Sequence, residues 1–226
     1  MKTLVIFDID GTLLQTADLH HRIIIDLLEK DGLDPRFQPW PAYPHYTDLG
    51  VLQVVTQHYR GRDLTSEELA RYETLYAEAL RAHLAHSPVP EVAGAAALIR
   101  DLQQMGVSVA YATGSLREMA KIKLSLLGVE NFDTLATGGE HLTREAIVRD
   151  AARRAVGPEP AQAVILGDGI WDQKTAQNLG LAFVALETGT HVFDQNTAMT
   201  IKDFTLITAT QLVALARPFA GHSEAV

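Results

Sequence analysis

The sequence predicts a doubly wound, Rossmann-like α/β fold whose core is interrupted after the first strand by an all-helical insertion. Three observations carry this. From residue 88 onward, short apolar runs rich in β-branched residues alternate with segments of helical periodicity, the pattern of a parallel sheet with crossover helices. Those runs lack strict polar alternation, as expected of strands covered on both faces. Between residues 15 and 87, by contrast, only helical patterns occur. The expected division is an α/β core of residues 1–14 and 88–219, a helical cap of residues 15–87 and a disordered tail of residues 220–226.

The apolar run Leu4–Phe7 reads as the first strand, ending in the polar turn Asp8-Ile9-Asp10-Gly11-Thr12. It meets Asp8 too soon to serve as the apolar region of a signal peptide. A helix is expected from about Thr16 to Lys30, with Leu19, Ile23, Leu27 and Leu28 near helical spacing and Asp31-Gly32 as its stop. Pro35, Pro39, Pro41 and Pro44 exclude a regular helix in the next segment. Two further helices follow, one through Val51, Leu52 and Val55, the other opened by the capping-box pair Thr65 and Glu68. Leu69, Tyr72, Leu75, Tyr76 and Leu80 form the apolar face of the latter, so the tyrosines read as core. Beyond Pro88 and Pro90 the order is a helix to Met105, a strand Val107–Ala112, a helix to Leu127 and a short strand near Thr134–Ala136. Then come a helix Thr143–Val156, a strand Ala163–Leu166, a helix Trp171–Leu179 and a strand near Ala182–Leu186.

Composition narrows the function classes. With no cysteine among 226 residues, thiol nucleophiles, thiolate metal sites and disulfides are excluded. A formal net charge of −9 argues against a nucleic-acid-binding surface. It permits a phosphorylated substrate, because a bound divalent cation and a few local basic groups can reverse the potential at one site. No stretch reaches the length of a membrane span, and a soluble cytoplasmic protein is the expectation. Oligomeric state is not readable.

Ligands of open α/β sheets bind beyond the carboxyl ends of the strands. Asp8 and Asp10 follow the first run, Thr113-Gly114-Ser115 a later one, and Gly167-Asp168 through Asp172 another. Carboxylates gathered at one sheet edge repel each other, and a hard cation with oxygen ligands relieves that; magnesium, shared with a substrate phosphate, fits best. An aspartate can attack phosphorus to give an aspartyl phosphate. A second carboxylate can protonate the leaving oxygen and then activate water, while Thr113 and neighbouring amides hold phosphate oxygens.

Asp8-Ile9-Asp10-Gly11-Thr12, the strand ending Tyr111-Ala112-Thr113-Gly114, and Gly167-Asp168 through Asp172, in that order, resemble the haloacid dehalogenase-like hydrolases. The helical insertion lies where that superfamily carries a helical cap. The resemblance implies Asp8 as nucleophile and metal ligand, and Asp10 as acid/base with its backbone carbonyl on the metal. It implies Asp168 as the third protein ligand, Asp172 at or just behind the metal shell, and Thr113 with Gly114 on the phosphate. The family's lysine before the last motif is missing from Gly138–Glu145; Arg144 suits its place, with Lys121 and Lys123 as the other candidates. Arginine brings the same charge with a different, bidentate geometry.

Plainer roles stand beside these. Thr113 could cap a helix, Asp172 could be a helix-start acid, and Thr47 or Asp48 could cap the helix that follows. His83 and His86 read as solvated helix polarity, and Trp171 as packing or rim. Gln15, Thr16, His20, His45 and Tyr46 are the candidates for substrate selection from the cap. The expected function is a magnesium-dependent phosphatase acting on a small phosphorylated metabolite through an aspartyl phosphate. A sugar-phosphate mutase, resembled by Thr16 and His20 near the hinge, and a non-catalytic binding module on the same fold are the alternatives.

Overall fold

The apolar runs become a parallel sheet because each is covered on both faces. In the computed structural model, which describes residues 1–159, 161–189 and 191–219, six strands run in the order β3-β2-β1-β4-β5-β6. These are β1 (Lys2–Phe7), β2 (Ser108–Thr113), β3 (Leu135–Thr137), β4 (Ala161–Gly167), β5 (Ala182–Leu186) and β6 (Met199–Ile201). A seventh, β7 (Arg217–Phe219), pairs antiparallel with the start of β4. The expected tail from Ala220 lies outside the described residues.

The helices are α1 (Ala17–Lys30), α2 (Asp48–Arg60), α3 (Ser66–Leu84), α4 (Ala95–Gln104), α5 (Arg117–Ser125), α6 (Arg144–Val156), α7 (Ile170–Asn178) and α8 (Ala209–Leu215). Two apolar cores flank the sheet. Val5, Phe7, Tyr111, Leu166 and Val184 face α4, α5 and α8 on one side. Leu4, Ile6, Ala110 and Ile165 face Ile147, Val148 and Ala176 on the other. Residues of each strand thus divide by parity, as the pleat requires.

Helices α1 to α3 form the insertion and bury a third core, including Ile24, Leu28, Leu52, Val55, Tyr72, Tyr76 and Leu80, which Leu116 and Met119 of the α/β part complete. Thr65 and Glu68 cap α3 reciprocally, as their spacing predicted. The proline-rich segment between α1 and α2 makes three short 3-10 turns instead of a helix. Where the chain leaves and rejoins the sheet it hydrogen-bonds to itself: Gln15 N donates to Pro90 O at 3.0 Å, and Val92 N to Leu13 O at 2.9 Å. The insertion is therefore joined to the core through a two-stranded stalk.

Candidate active site

Strand β1 lies between β2 and β4, the switch point of the sheet order, where the crevice of such a fold opens. Asp8 leaves β1 there, with its backbone N–H on Leu166 O. The chain then turns at Gly11, whose φ of +80° favours glycine. A side chain is also excluded by space, since a Cβ there would lie 2.1 Å from Asp168 Oδ2. Thr12 Oγ1 stands within reach of both neighbouring acids, 3.1 Å from Asp168 Oδ1 and 3.4 Å from Asp8 Oδ2.

Asp8, Asp168 and Asp172 are buried and can place one carboxylate oxygen each within 4.8 Å of the others. Burial, then the charges of Asp172 and Asp10, push the Asp8 carboxyl well above the usual carboxylate range, against the pull of Arg144. Burial and Asp8 raise Asp168 to about 8. Asp172 is raised to about 7 by burial and Asp168, again opposed by Arg144. Three buried oxygen donors that repel one another match the chemistry of a hard divalent cation. Asp172 also accepts from Gly169 N at 3.1 Å, so it serves the start of α7 and the cluster together.

Thr113 ends β2 with its hydroxyl accepting from Ser115 N at 3.2 Å. Helix α5 starts later, at Arg117, so Thr113 is not its cap. The open amide at that helix start, Leu116 N, donates to Asp48 Oδ2 at 2.8 Å instead. Thr47 caps α2, accepting from Gly50 N. Asp48 is thus freed from capping and ties the insertion to the core.

Arg144, the first residue of α6, reaches over Gly114 into the same crevice. Its Nη1 lies 3.6 Å from Asp8 Oδ1 and 3.4 Å from Asp172 Oδ1. Nε donates to His45 O at 3.2 Å and Nη2 to Tyr46 O at 2.8 Å. A Cβ on Gly114 would meet Arg144 Nη2 at 2.6 Å and Tyr46 O at 2.7 Å, so this approach needs glycine. Of the other cationic candidates, Lys121 pairs with Glu118 at 2.6 Å. Lys123 is 0% exposed and lies behind Asp10, its Nζ 2.6 Å from Asp10 Oδ1.

Asp10 is held from several sides. Thr16 Oγ1 donates to Oδ1 at 2.6 Å, and Ser115 Oγ to Oδ2 at 2.7 Å. Burial alone would raise the Asp10 carboxyl, but Lys123, by charge and hydrogen bond, and the Ser115 hydroxyl hold it well below the carboxylate range. The Lys123 ammonium can only donate, so His20 Nδ1, 3.0 Å away, accepts from it. The His20 Nε2 proton then faces Asp48 Oδ1 at 2.8 Å. Lys123, His20 and Asp48 thereby connect the second aspartate to the first turn of α2.

Insertion and core enclose a cavity of about 580 Å³. Asp8, Asp10, Asp168, Thr113, Gly114 and Arg144 line its floor, and Gln15, His20 and Tyr46 its roof and sides. Asp172 sits behind, bordering a small space shared with Asp8 and Arg144. Thr16 is buried against Asp10. His45 is not among the lining residues: its φ of 59° turns the chain so that its carbonyl meets Arg144 and its side chain is exposed. Trp171 stands at the rim, stacked on Tyr46 at 3.9 Å, and Tyr46 OH is 3.0 Å from His21 Nε2. His21 in turn stacks on Trp40 at 4.6 Å. Sequence reasoning passed over Gly11, Ser115, His21, Trp40 and His191 as lining residues, and weighed Lys123 only as an alternative to Arg144.

A family model for haloacid dehalogenase-like hydrolases matches residues 2–180. The chain belongs to that family and is a hydrolase of its phosphatase type. A phosphoglycolate phosphatase of Rhodobacter capsulatus is 28% identical over 84% of this chain and 86% of its own length. Among solved structures, CbbY from Rhodobacter sphaeroides in complex with phosphate superposes with a TM-score of 0.71 at 21% identity, covering 94% of this chain and 99% of that one. A putative beta-phosphoglucomutase from Bacteroides vulgatus gives 0.65 at 17% identity, over 89% and 84%. These two likenesses are of fold. No described helix is long and apolar enough to cross a membrane.

Proposed function

We propose that the protein is a cytoplasmic, magnesium-dependent phosphatase that hydrolyses a small phosphomonoester through an aspartyl phosphate on Asp8. The observation that carries this is the convergence of Asp8, Asp168 and Arg144 on one cavity floor, with Asp172 directly behind them. Asp8, Asp168 and the Asp10 backbone carbonyl would hold the magnesium, with Asp172 against it; when bound, the ion neutralises charge on the carboxylates and on the phosphate oxygens. Residues 15–87 act as a cap that shields the reaction from water.

Arg144 Nη1, beside Asp8, binds a phosphate oxygen and aligns phosphorus with the Asp8 carboxylate, while Thr113 Oγ1 donates to a second oxygen. The Asp8 oxygen forms a bond to phosphorus as the bond to the leaving oxygen breaks. Asp10 supplies the proton to that oxygen and later takes one from the water that cleaves the acyl phosphate. Lys123 keeps Asp10 ionised in the resting state, which favours the second of these tasks. Departure of a basic alcohol therefore requires the Asp10 contacts to loosen, so that the carboxylate first takes up a proton from solvent and then passes it to the leaving oxygen.

Phosphate release from p-nitrophenyl phosphate, with and without magnesium, tests the proposal for wild type and Asp8→Asn. Magnesium-dependent turnover lost in the variant is the expected result; equal rates in both would contradict it. A mutase reading draws on Thr16, which donates to Asp10 at the hinge. It requires isomerised sugar phosphate, dependent on a bisphosphate primer, with little free phosphate.

A further inference from the structure

The cavity is rich in acids and poor in cations. Of its lining residues Arg144 is the single Lys or Arg, and it stands on the core floor beside Asp8. The chain outside the described residues contains no Lys or Arg either, so none is supplied from there. The insertion brings Asp18 and Asp48 to the cavity, and no cation. Its own basic groups lie elsewhere: Arg36 pairs with Glu29 and Asp34, Arg60 and Arg62 with Glu68, Arg71 with Asp31, and Arg81 is exposed near the end of α3, outside the cavity lining. Arg22 and Lys30 line a separate groove with Asp26.

The roof histidines do not make up the deficit. His20 spends both ring nitrogens, on Lys123 and Asp48. Burial pushes His21 below the ordinary imidazole range, and its Nε2 is bonded to Tyr46 OH. Beyond the phosphate, a substrate therefore meets no Lys or Arg, but polar groups such as Gln15 and Tyr46 OH, the aromatic edges of Trp40 and Trp171 with the His191 ring beside the latter, and the exposed carboxylate of Asp18.

We infer, resting on the phosphatase reading above, that the cap selects monophosphates whose leaving alcohol carries no second anionic group, and that Asp18 is a specificity-determining residue. A carboxylate or second phosphate under this roof would lose water and gain no lysine or arginine partner. An unpaired or like charge is a recurrent means of rejecting a competitor. 2-Phosphoglycolate, for which the Rhodobacter capsulatus relative is named, carries such a carboxylate; a neutral sugar or polyol monophosphate does not.

The test compares kcat/KM at pH 8, with magnesium, for two matched pairs: glycerol 3-phosphate against 3-phosphoglycerate, and fructose 6-phosphate against fructose 1,6-bisphosphate. The expected result is a preference of at least about tenfold for the neutral member of each pair. Asp18→Lys should narrow both ratios by at least about threefold, whereas Asp26→Lys, on the other groove, should leave them unchanged. Turnover of the carboxylate or bisphosphate member as fast as its partner overturns the inference and leaves the phosphatase reading intact. Ratios that do not respond to Asp18→Lys overturn the role of that residue. Absence of turnover on these esters and on p-nitrophenyl phosphate alike overturns both readings.

Discussion

Replacing Gly11 by alanine separates backbone strain from damage to the carboxylate cluster. At φ +80° any side chain is strained, at a cost of roughly 1–2 kcal/mol. The added Cβ would also lie 2.1 Å from Asp168 Oδ2 and 2.5 Å from its Cγ. The Asp168 carboxylate must retreat by about 1 Å, a displacement that can cost on the order of 100-fold in rate when it falls on a positioned group. Gly128 supplies the control, with φ +75° and nothing within 4 Å of its Cβ. Both alanine variants should lose about 1–2 kcal/mol in urea unfolding. Only Gly11→Ala should lose about 100-fold in kcat/KM on p-nitrophenyl phosphate and require more magnesium for half-maximal rate. If Gly11→Ala keeps the wild-type rate and magnesium requirement while matching Gly128→Ala in stability, Asp168 is not part of the working site.

Three further predictions concern the groups behind it. Lys123→Met removes the buried partner of Asp10 and should cost about 3 kcal/mol of stability; a double variant with Asp10→Asn should recover part of that loss, which a double-mutant cycle in urea measures. Asp10→Asn should slow alkyl phosphates at least about tenfold more than p-nitrophenyl phosphate, because the aryl leaving group needs little protonation; parallel kcat measurements on both esters decide this. Asp150 is lowered to about 2: burial, which raises it, is outweighed by hydrogen bonds from His141, Arg153 and Arg154. A depressed folded-state value stabilises above the unfolded value near 4 and is lost as pH falls through about 2. The destabilisation of Asp150→Asn should therefore be about 1–2 kcal/mol at pH 7 and shrink steadily below pH 4 in urea titrations.

Much of the fold was readable because the core strands are short β-branched runs that end in polar turns. β5 falls where the pattern placed it, β1 starts two residues earlier at Lys2, and β4 extends two residues before and one after the expected run. The C-terminal elements were not readable. β6 is three residues long with one buried side chain, and β7 contains Pro218, so neither shows a strand pattern, and α8 spans two turns. Within the site, Asp8, Asp10, Asp168 and Asp172 stand directly after apolar runs, which is why position alone singled them out. Lys123 has a fainter signal. It falls on the buried stripe of α5 with Met119, Ala120 and Leu124, and a lysine on an apolar stripe needs an acid partner. That partner, Asp10, is distant in sequence. The turn at His45 and Tyr46, both at positive φ, left no trace in residue type, so the carbonyls that hold Arg144 could not be anticipated.

The proposed mechanism requires that Asp8 become phosphorylated during turnover. Rapid acid quench during hydrolysis of a phosphomonoester, followed by digestion and peptide mass spectrometry, measures this directly. A phosphoryl group is expected on the peptide containing Asp8, present only during turnover and absent from Asp8→Asn. Steady phosphate release with no phosphorylated peptide, or with the label on another residue, would contradict it.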